Sequence, residues 1–201
     1  MVNRHTVEKI GGTSMSDYAA VRDSIVFGQS NGDTPYQRVF VVSAYGGMTN
    51  KLLEDKKDGK PGVYGLFASS FQDSSWEEAL DNVRHDMFAI NAELFVDPES
   101  LAEANAFIGE RLDNARKCLE DLQSLCGHGH FLVEDHLVTV REMLSSVGEA
   151  HSAWNLARLL RRDGLNATFV DLSGWQTTGN MPLDECVQQA FANLDLEREL
   201  P

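Results

Sequence analysis

The chain has 201 residues, of which 42% are hydrophobic and 24% charged, and it contains only five prolines. That is long enough for one well-buried domain or a fragment of a larger one, with the composition of an ordinary globular protein. The net charge of −14 argues against nucleic acid or an anionic membrane as the main partner. The longest apolar run, Val39 to Val42, is far too short to span a bilayer. The start, Met1-Val2-Asn3-Arg4-His5, shows no secretory signal. Three cysteines, Cys118, Cys126 and Cys186, make no disulfide-like framework, which fits a reducing cytoplasm.

In chain order, Thr6 to Ile10 reads as a short strand ended by Gly11-Gly12. A helix follows, with Ser14 or Ser16 as its cap and Ala19, Ala20, Ile25 and Val26 as its apolar face. Gly32-Asp33-Thr34-Pro35 breaks the chain. Arg38 to Ser43 is a continuous apolar run, expected as a strand buried on both faces, and ends in Gly46-Gly47 before a helix near Thr49. Strand, Gly-Gly turn, helix thus occurs twice, the grammar of a parallel α/β sheet with ligand loops at the strand ends.

Residues 58 to 73 read as a loop or insertion. A helical segment at about 74–162 comes next, divided at Asp97-Pro98 with Asp97 as the cap, and Gly148 is expected to interrupt its last helix. Gly164 reads as a helix C-cap, Asn166 to Asp171 as a third strand, and Leu183 to Leu200 as a terminal helix.

Three constellations carry chemistry. In Lys9-Ile10-Gly11-Gly12-Thr13-Ser14, adjacent glycines let backbone amides approach an anion, and the lysine supplies a mobile positive charge. It is not a Walker loop, and alone it reads more simply as a tight turn. In Ser43-Ala44-Tyr45-Gly46-Gly47-Met48-Thr49-Asn50, hydroxyls and amides around a Gly-Gly turn can hold a carboxylate; alone this too reads as a structural turn. In Ser146-Val147-Gly148-Glu149-Ala150-His151-Ser152, a glycine inside a helix costs about 1 kcal/mol relative to alanine and needs a reason. A ligand beside Glu149 and a helix–helix contact both supply one. Cys126-Gly127-His128-Gly129-His130 lacks a paired ligand motif and reads as a surface loop. Trp76, Trp154 and Trp175 read as packing residues, and Glu77, Glu78 and Asp81 as a solvated acidic face.

Taken together, Lys-Ile-Gly-Gly-Thr-Ser, Val-Val-Ser-Ala-Tyr-Gly-Gly-Met-Thr-Asn and Ser-Val-Gly-Glu resemble the aspartate kinases of the amino-acid kinase fold. Ala157 to Gly164, Ala167 to Asp171 and Ser173-Gly174-Trp175-Gln176 are similar to that family as well. Val7-Glu8-Lys9-Ile10 and Lys60-Pro61-Gly62-Val63-Tyr64 resemble its ectoine-associated type.

The resemblance implies a three-layer αβα sandwich with a mainly parallel sheet, here incomplete. Residues 1–201 would be the N-terminal aspartate-binding part. The nucleotide-binding half and regulatory domains of the family have no match in this sequence. The implied reaction is ATP-dependent, Mg²⁺-assisted phosphorylation of L-aspartate to 4-phospho-L-aspartate. Lys9 would stabilise the transferred phosphoryl group, with the Gly11 and Gly12 amides beside it. Ser43 and Thr49 would hold aspartate, and Glu149 its α-ammonium group. No residue is assigned to metal. Ile10 replaces a phenylalanine common in the family, and Tyr45 is bulkier than the residues often found there. A truncated sheet edge offers pairing to a second copy, as a homodimer, and the absent nucleotide half implies little kinase activity and no tight ATP binding for this chain alone. The alternative is a stand-alone, non-catalytic aspartate-binding or interaction module. A family member acting on another carboxylate or carbamate is disfavoured by Thr49-Asn50 together with Ser146 to Glu149.

Overall fold

The structure, a computed structural model, describes residues 6–28, 36–69, 73–173 and 183–193. The expected break at Gly32 to Pro35, the segment from Gly174 to Gln176, and the end of the terminal helix lie outside the described residues. The chain divides into two compact units, Met1–Gly46 with Ser152–Pro201, and Gly47–His151.

The first unit holds a parallel pair of strands, β1 (Thr6–Ile10) and β2 (Arg38–Val42), in register from Thr6 opposite Arg38 to Ile10 opposite Val42. The ladder runs on at both ends, from Thr6 N–H to Gln37 O at 3.1 Å and from Ser43 N–H to Ile10 O at 3.0 Å. Pleating puts Val7 and Lys9 on one face with Val39 and Val41, and Glu8 and Ile10 on the other with Phe40 and Val42. The expectation that β2 is buried on both faces is corrected here. Val7 is 71% and Val41 46% exposed, because the described sheet has only these two strands and nothing described covers that face.

On the opposite face Glu8 and Arg38 form a fork, with both guanidinium–carboxylate contacts at 2.6 Å. The same guanidinium donates to Ile25 O and Val26 O, each at 2.8 Å. It thereby satisfies carbonyls at the end of a π-helical segment, Val21–Val26. That segment continues from α1 (Gly12–Met15) and α2 (Tyr18–Ala20). The helix cap is Asp17, whose carboxylate accepts from Ala20 N–H at 2.9 Å. Neither Ser14 nor Ser16 caps it, since the Ser16 hydroxyl is engaged elsewhere.

The last turns of α7 (Leu137–Arg162) also belong to this unit. They end in a Schellman motif: Leu165 N–H bonds Leu160 O at 2.9 Å, and Gly164 N–H bonds Arg161 O at 3.0 Å, with Gly164 at φ 89°. Just before it, Asp163 accepts from Tyr18 Oη at 2.7 Å and from Arg162 at 3.2 Å.

The third strand expected at Asn166–Asp171 does not form among the described residues. A strand needs its backbone groups free for a neighbour. Here Ala167 N–H folds back to Leu165 O at 3.0 Å, and Ala167 O accepts from the Arg161 guanidinium. The helix α8 (Leu183–Asn193) completes the described part.

The second unit is helical. Its α3 (Met48–Leu52) starts from Gly47, whose φ of 82° is left-handed backbone that a side chain would strain. The turn after α3 closes through a bridge between Glu54 and Pro61. Residues 63–69, expected to be loop, form α4 (Val63–Ser69). Val63 and Phe67, four apart, are both fully buried there, and that apolar pair selects helix despite Gly65.

Long helices α5 (Ser75–Leu94) and α6 (Pro98–Gly127) pack against each other along the division expected at Asp97. Asp97 caps α6 by accepting from Ser100 N–H at 2.9 Å, and Pro98 occupies the first turn, where its missing N–H costs nothing. Trp76, Leu80, Val83 and Met87 form one buried stripe; Ala104, Ile108, Leu112, Ala115 and Leu119 form the other. Burial of each large side chain contributes about 1.5–3 kcal/mol. Arg84 with Asp113, and Arg116 with Asp81, bridge the edges of the seam. Trp76 is a packing residue, edge-on to Phe67.

Gly148 does not interrupt α7, which runs unbroken from Leu137 to Arg162. It is buried, with Val147 beside it. The stability of a packed helix comes from its buried face, and that outweighs the loss at one glycine.

Candidate functional site

Both glycine turns leave the same end of the sheet. Lys9 sits one residue before the end of β1, opposite Val41, and Ser43 directly follows β2. Because the strands are parallel, adjacent and in register, their carboxyl-end loops emerge side by side, where open α/β sheets place ligands. The structure therefore brings together Lys9, Gly11, Gly12 and Ser43.

The two turns are fitted closely. A Cβ on Gly12 would lie 2.5 Å from Ala44 O, so only glycine permits this approach. Around Gly11 a Cβ would meet nothing within 4 Å, which leaves open space beside its amide. Ser16 links the turns, its hydroxyl donating to Gly12 O at 3.2 Å and accepting from Gly46 N–H at 3.1 Å. Lys9 is exposed and makes no ion pair with any described residue, whereas Arg38, at the other end of the ladder and on its other face, is consumed by Glu8 and two carbonyls. The Arg38 fork holds the Glu8 carboxyl below its ordinary range. Lys9 thus offers an exposed positive charge near the glycine turns. A mobile ammonium, two amide-bearing glycines and open space fit a phosphoryl group.

The loop after β2 is also held from α7. Ser152 Oγ donates to Ser43 O at 2.8 Å, and Asn155 Nδ2 donates to Tyr45 Oη at 3.2 Å. Tyr45 is buried, and burial pushes its phenol up to about 12. Its bulk fills the interior of the first unit. Sequence reasoning took in Ser152 beside Glu149 without giving it a role, and missed Asn155. Their signal was two polar residues three apart in a helical stretch otherwise rich in Leu and Ala.

Thr49 and Glu149 belong to the second unit. Thr49 is half-buried in the first turn of α3, and its carbonyl accepts from Leu53 N–H at 2.9 Å. Neighbours on α3 are tied down, Lys51 to Asp86 of α5 at 2.6 Å and Asn50 to Asp55 at 2.9 Å. Just beyond α3, Glu54 receives a fork from Arg141 of α7 at 2.7 and 2.8 Å. That fork lowers the Glu54 carboxyl and raises the guanidinium. The Arg141 guanidinium also lies 5.1 Å from the centre of the Tyr64 ring. Glu149 follows Arg141 by just over two turns and is half-buried. Among the described residues, no group of three or more His, Cys, Asp or Glu is gathered as a metal site would need.

A family model described as "Amino acid kinase family" matches residues 4–199. The chain is similar to the protein named "Aspartate kinase Ask_Ect" of Stutzerimonas stutzeri (strain A1501). The two are 53% identical over 196 residues, which is 98% of this chain and 41% of the relative. The chain thus spans less than half the length of that relative. No solved structure matches it.

Proposed function

Since the chain belongs to the amino acid kinase family, we propose that it carries the aspartate site of an aspartate kinase of the ectoine-associated type. The reaction is transfer of the γ-phosphoryl group of ATP to the side-chain carboxylate of L-aspartate. A carboxylate oxygen bonds to phosphorus as the bond to the ADP oxygen breaks, giving 4-phospho-L-aspartate. The observation that carries this reading is the pair of glycine turns leaving adjacent parallel strands beside Lys9.

In this reading Lys9 Nζ and the Gly11 and Gly12 amides stabilise charge on the transferred phosphoryl group. Such transfer depends on positioning and electrostatics more than on covalent chemistry from the protein. Ser43 and Thr49 hold the carboxylates of aspartate, and Glu149 accepts from its ammonium group. Mg²⁺ travels with ATP and screens its charge; no residue of this chain is assigned to it. The exposed Lys9 and the fitted Gly12 support these roles. A cytoplasmic location, where ATP is available, and a homodimer complete the reading. The relative of matching sequence is more than twice as long, so the 201 residues alone are proposed to bind aspartate without appreciable turnover.

Calorimetric titration of L-aspartate, and separately of Mg-ATP, tests this, with Glu149→Ala as the variant. Removing one partner of a charged hydrogen-bonded pair costs about 2–5 kcal/mol. Aspartate affinity should fall at least ~30-fold, while thermal unfolding stays cooperative. Unchanged aspartate affinity in Glu149→Ala would refute the assignment, and tight Mg-ATP binding would refute the division of labour.

A further inference from the structure

A polar thread crosses the apolar interior of the second unit. His151 of α7 is fully buried, and its Nε2 lies 2.7 Å from Asn91 Oδ1 on α5. Asn91, also fully buried, donates from Nδ2 to Asn105 Oδ1 on α6 at 2.9 Å. That donation leaves Asn91 Oδ1 as the acceptor, so His151 carries its proton on Nε2. Burial keeps the ring neutral, pushing its pKa down to about 3.

The thread does something that the surrounding apolar packing does not. Val140, Leu144 and Val147 bury α7, but dispersion contacts are individually weak and have no preferred direction, and the Arg141–Glu54 fork lies just over two turns from Glu149, so a small local rotation about the helix axis is left for a nearer contact to fix. A short hydrogen bond is directional and fixes that rotation. Glu149 precedes His151 by two residues, which at 3.6 residues per turn sets the two side chains about 200° apart around the axis. A bond at His151 therefore acts on the opposite side of the helix. Turning α7 by ~20° would carry a group about 5.5 Å from its axis through roughly 2 Å. That is enough to carry a carboxylate oxygen out of hydrogen-bond reach of an ammonium group.

We propose that His151, through Asn91 and Asn105, is a positioning residue for Glu149, setting the rotation of α7 and so the place of the carboxylate that receives the substrate ammonium. This rests on the reading of Glu149 given above. The thread does not touch the substrate; it selects among ligands by holding one carboxylate in place.

The intact chain is titrated with L-aspartate and with succinate, which has the same two carboxylates and no ammonium. His151→Leu should weaken aspartate about 10–30-fold and leave succinate within roughly twofold. His151→Gln, whose amide can donate to the same acceptor, should restore aspartate to within about threefold. Asn105→Ala should shift affinity in the same direction by a smaller factor, even if His151→Leu fails to fold. Thermal unfolding accompanies each titration. A merely structural thread would lower the melting temperature without changing the ratio of aspartate to succinate affinity, and that result would overturn the proposal. So would failure of His151→Gln to restore the ratio. Glu149→Gln is run in parallel. If it leaves aspartate affinity unchanged, the reading of Glu149 fails; if it weakens aspartate while folded His151→Leu does not, only the positioning role fails.

Discussion

Gly12→Ala should be among the more damaging single-methyl additions to the first unit. The new Cβ would lie 2.5 Å from the carbonyl oxygen of Ala44, against an ordinary C···O separation of about 3.3 Å. The two turns would have to part by ~0.8 Å. They are held by Ser43 N–H on Ile10 O and by Ser16, which bonds both Gly12 O and Gly46 N–H. Overpacking of this kind costs about 1–3 kcal/mol, and loosening the Ser16 link adds about 1 kcal/mol. At roughly 2–4 °C per kcal/mol for a chain of this size, the melting temperature should fall by about 4–15 °C. Gly11→Ala is the control. Its Cβ would meet nothing within 4 Å, and its φ of −77° and ψ of 158° suit any residue, so melting should stay within about 2 °C of the parent. Thermal unfolding followed by circular dichroism reads both. If Gly12→Ala melts with the parent, or Gly11→Ala falls further, the close approach of the two turns is not what the structure describes.

Two further outcomes follow from other features. Gly164→Ala places a side chain at φ 89° in the Schellman motif and should cost about 1–2 kcal/mol, read as a lowered midpoint in urea with an unchanged slope; an unaltered midpoint would count against it. Acid should act in two stages. His151 stays neutral when folded, with its pKa lowered from 6.5 to about 3; the unfolded chain therefore binds the extra proton, and stability falls as pH drops below about 6.5. The slope approaches 1.4 kcal/mol per pH unit and should vanish in His151→Gln. The Glu8 and Glu54 carboxyls, held below 4.5 by Arg38 and Arg141, stabilise the fold above that value. That contribution is lost only as pH falls through their lowered pKa values. Urea titrations across pH separate the stages, and a flat profile between pH ~6.5 and ~5 would refute the histidine argument.

Local signals carried much of the fold. Asp97-Pro98 marks the start of α6 because cap and proline act within one turn, and Gly164 ends α7 because only its backbone conformation is at stake. The end of β1 before Gly11, and the turn after β2 that reaches Gly46, were legible for the same reason, and with them the positions of Lys9 and Ser43. What failed depended on which side chains and backbone groups meet once the chain has folded. Gly148 reads as a break until the burial of α7 is known. Asn166–Asp171 has strand-like residues, but Arg161 and Leu165 take its backbone groups. Val63–Ser69 looks like loop until Phe67 finds Trp76. Asp17 displaced the two serines as cap because Ser16 is committed to Gly46. The site's supporting residues were illegible on similar grounds. Ser152, Asn155 and His151 stand in one helical run, and nothing local says which polar side chain meets a carbonyl, a phenol or an amide.

The division of the chain has a consequence for how it acquires its shape. Gly47–His151 is continuous in sequence, and α4, α5 and α6 meet their neighbours in chain order, so that part forms early and quickly. The first unit is built from two separate stretches, Met1–Gly46 and Ser152–Pro201, which in an open chain must find each other across that whole intervening length. Closing so long a loop carries an entropic penalty that rises with its logarithm. Once helices form within it, less of that length is free chain, and part of the penalty disappears. The glycine turns beside Lys9 and the residues that steady them, Ser152 and Asn155, come from opposite sides of the insertion, so the carboxyl end of the sheet is among the last parts to take its final form.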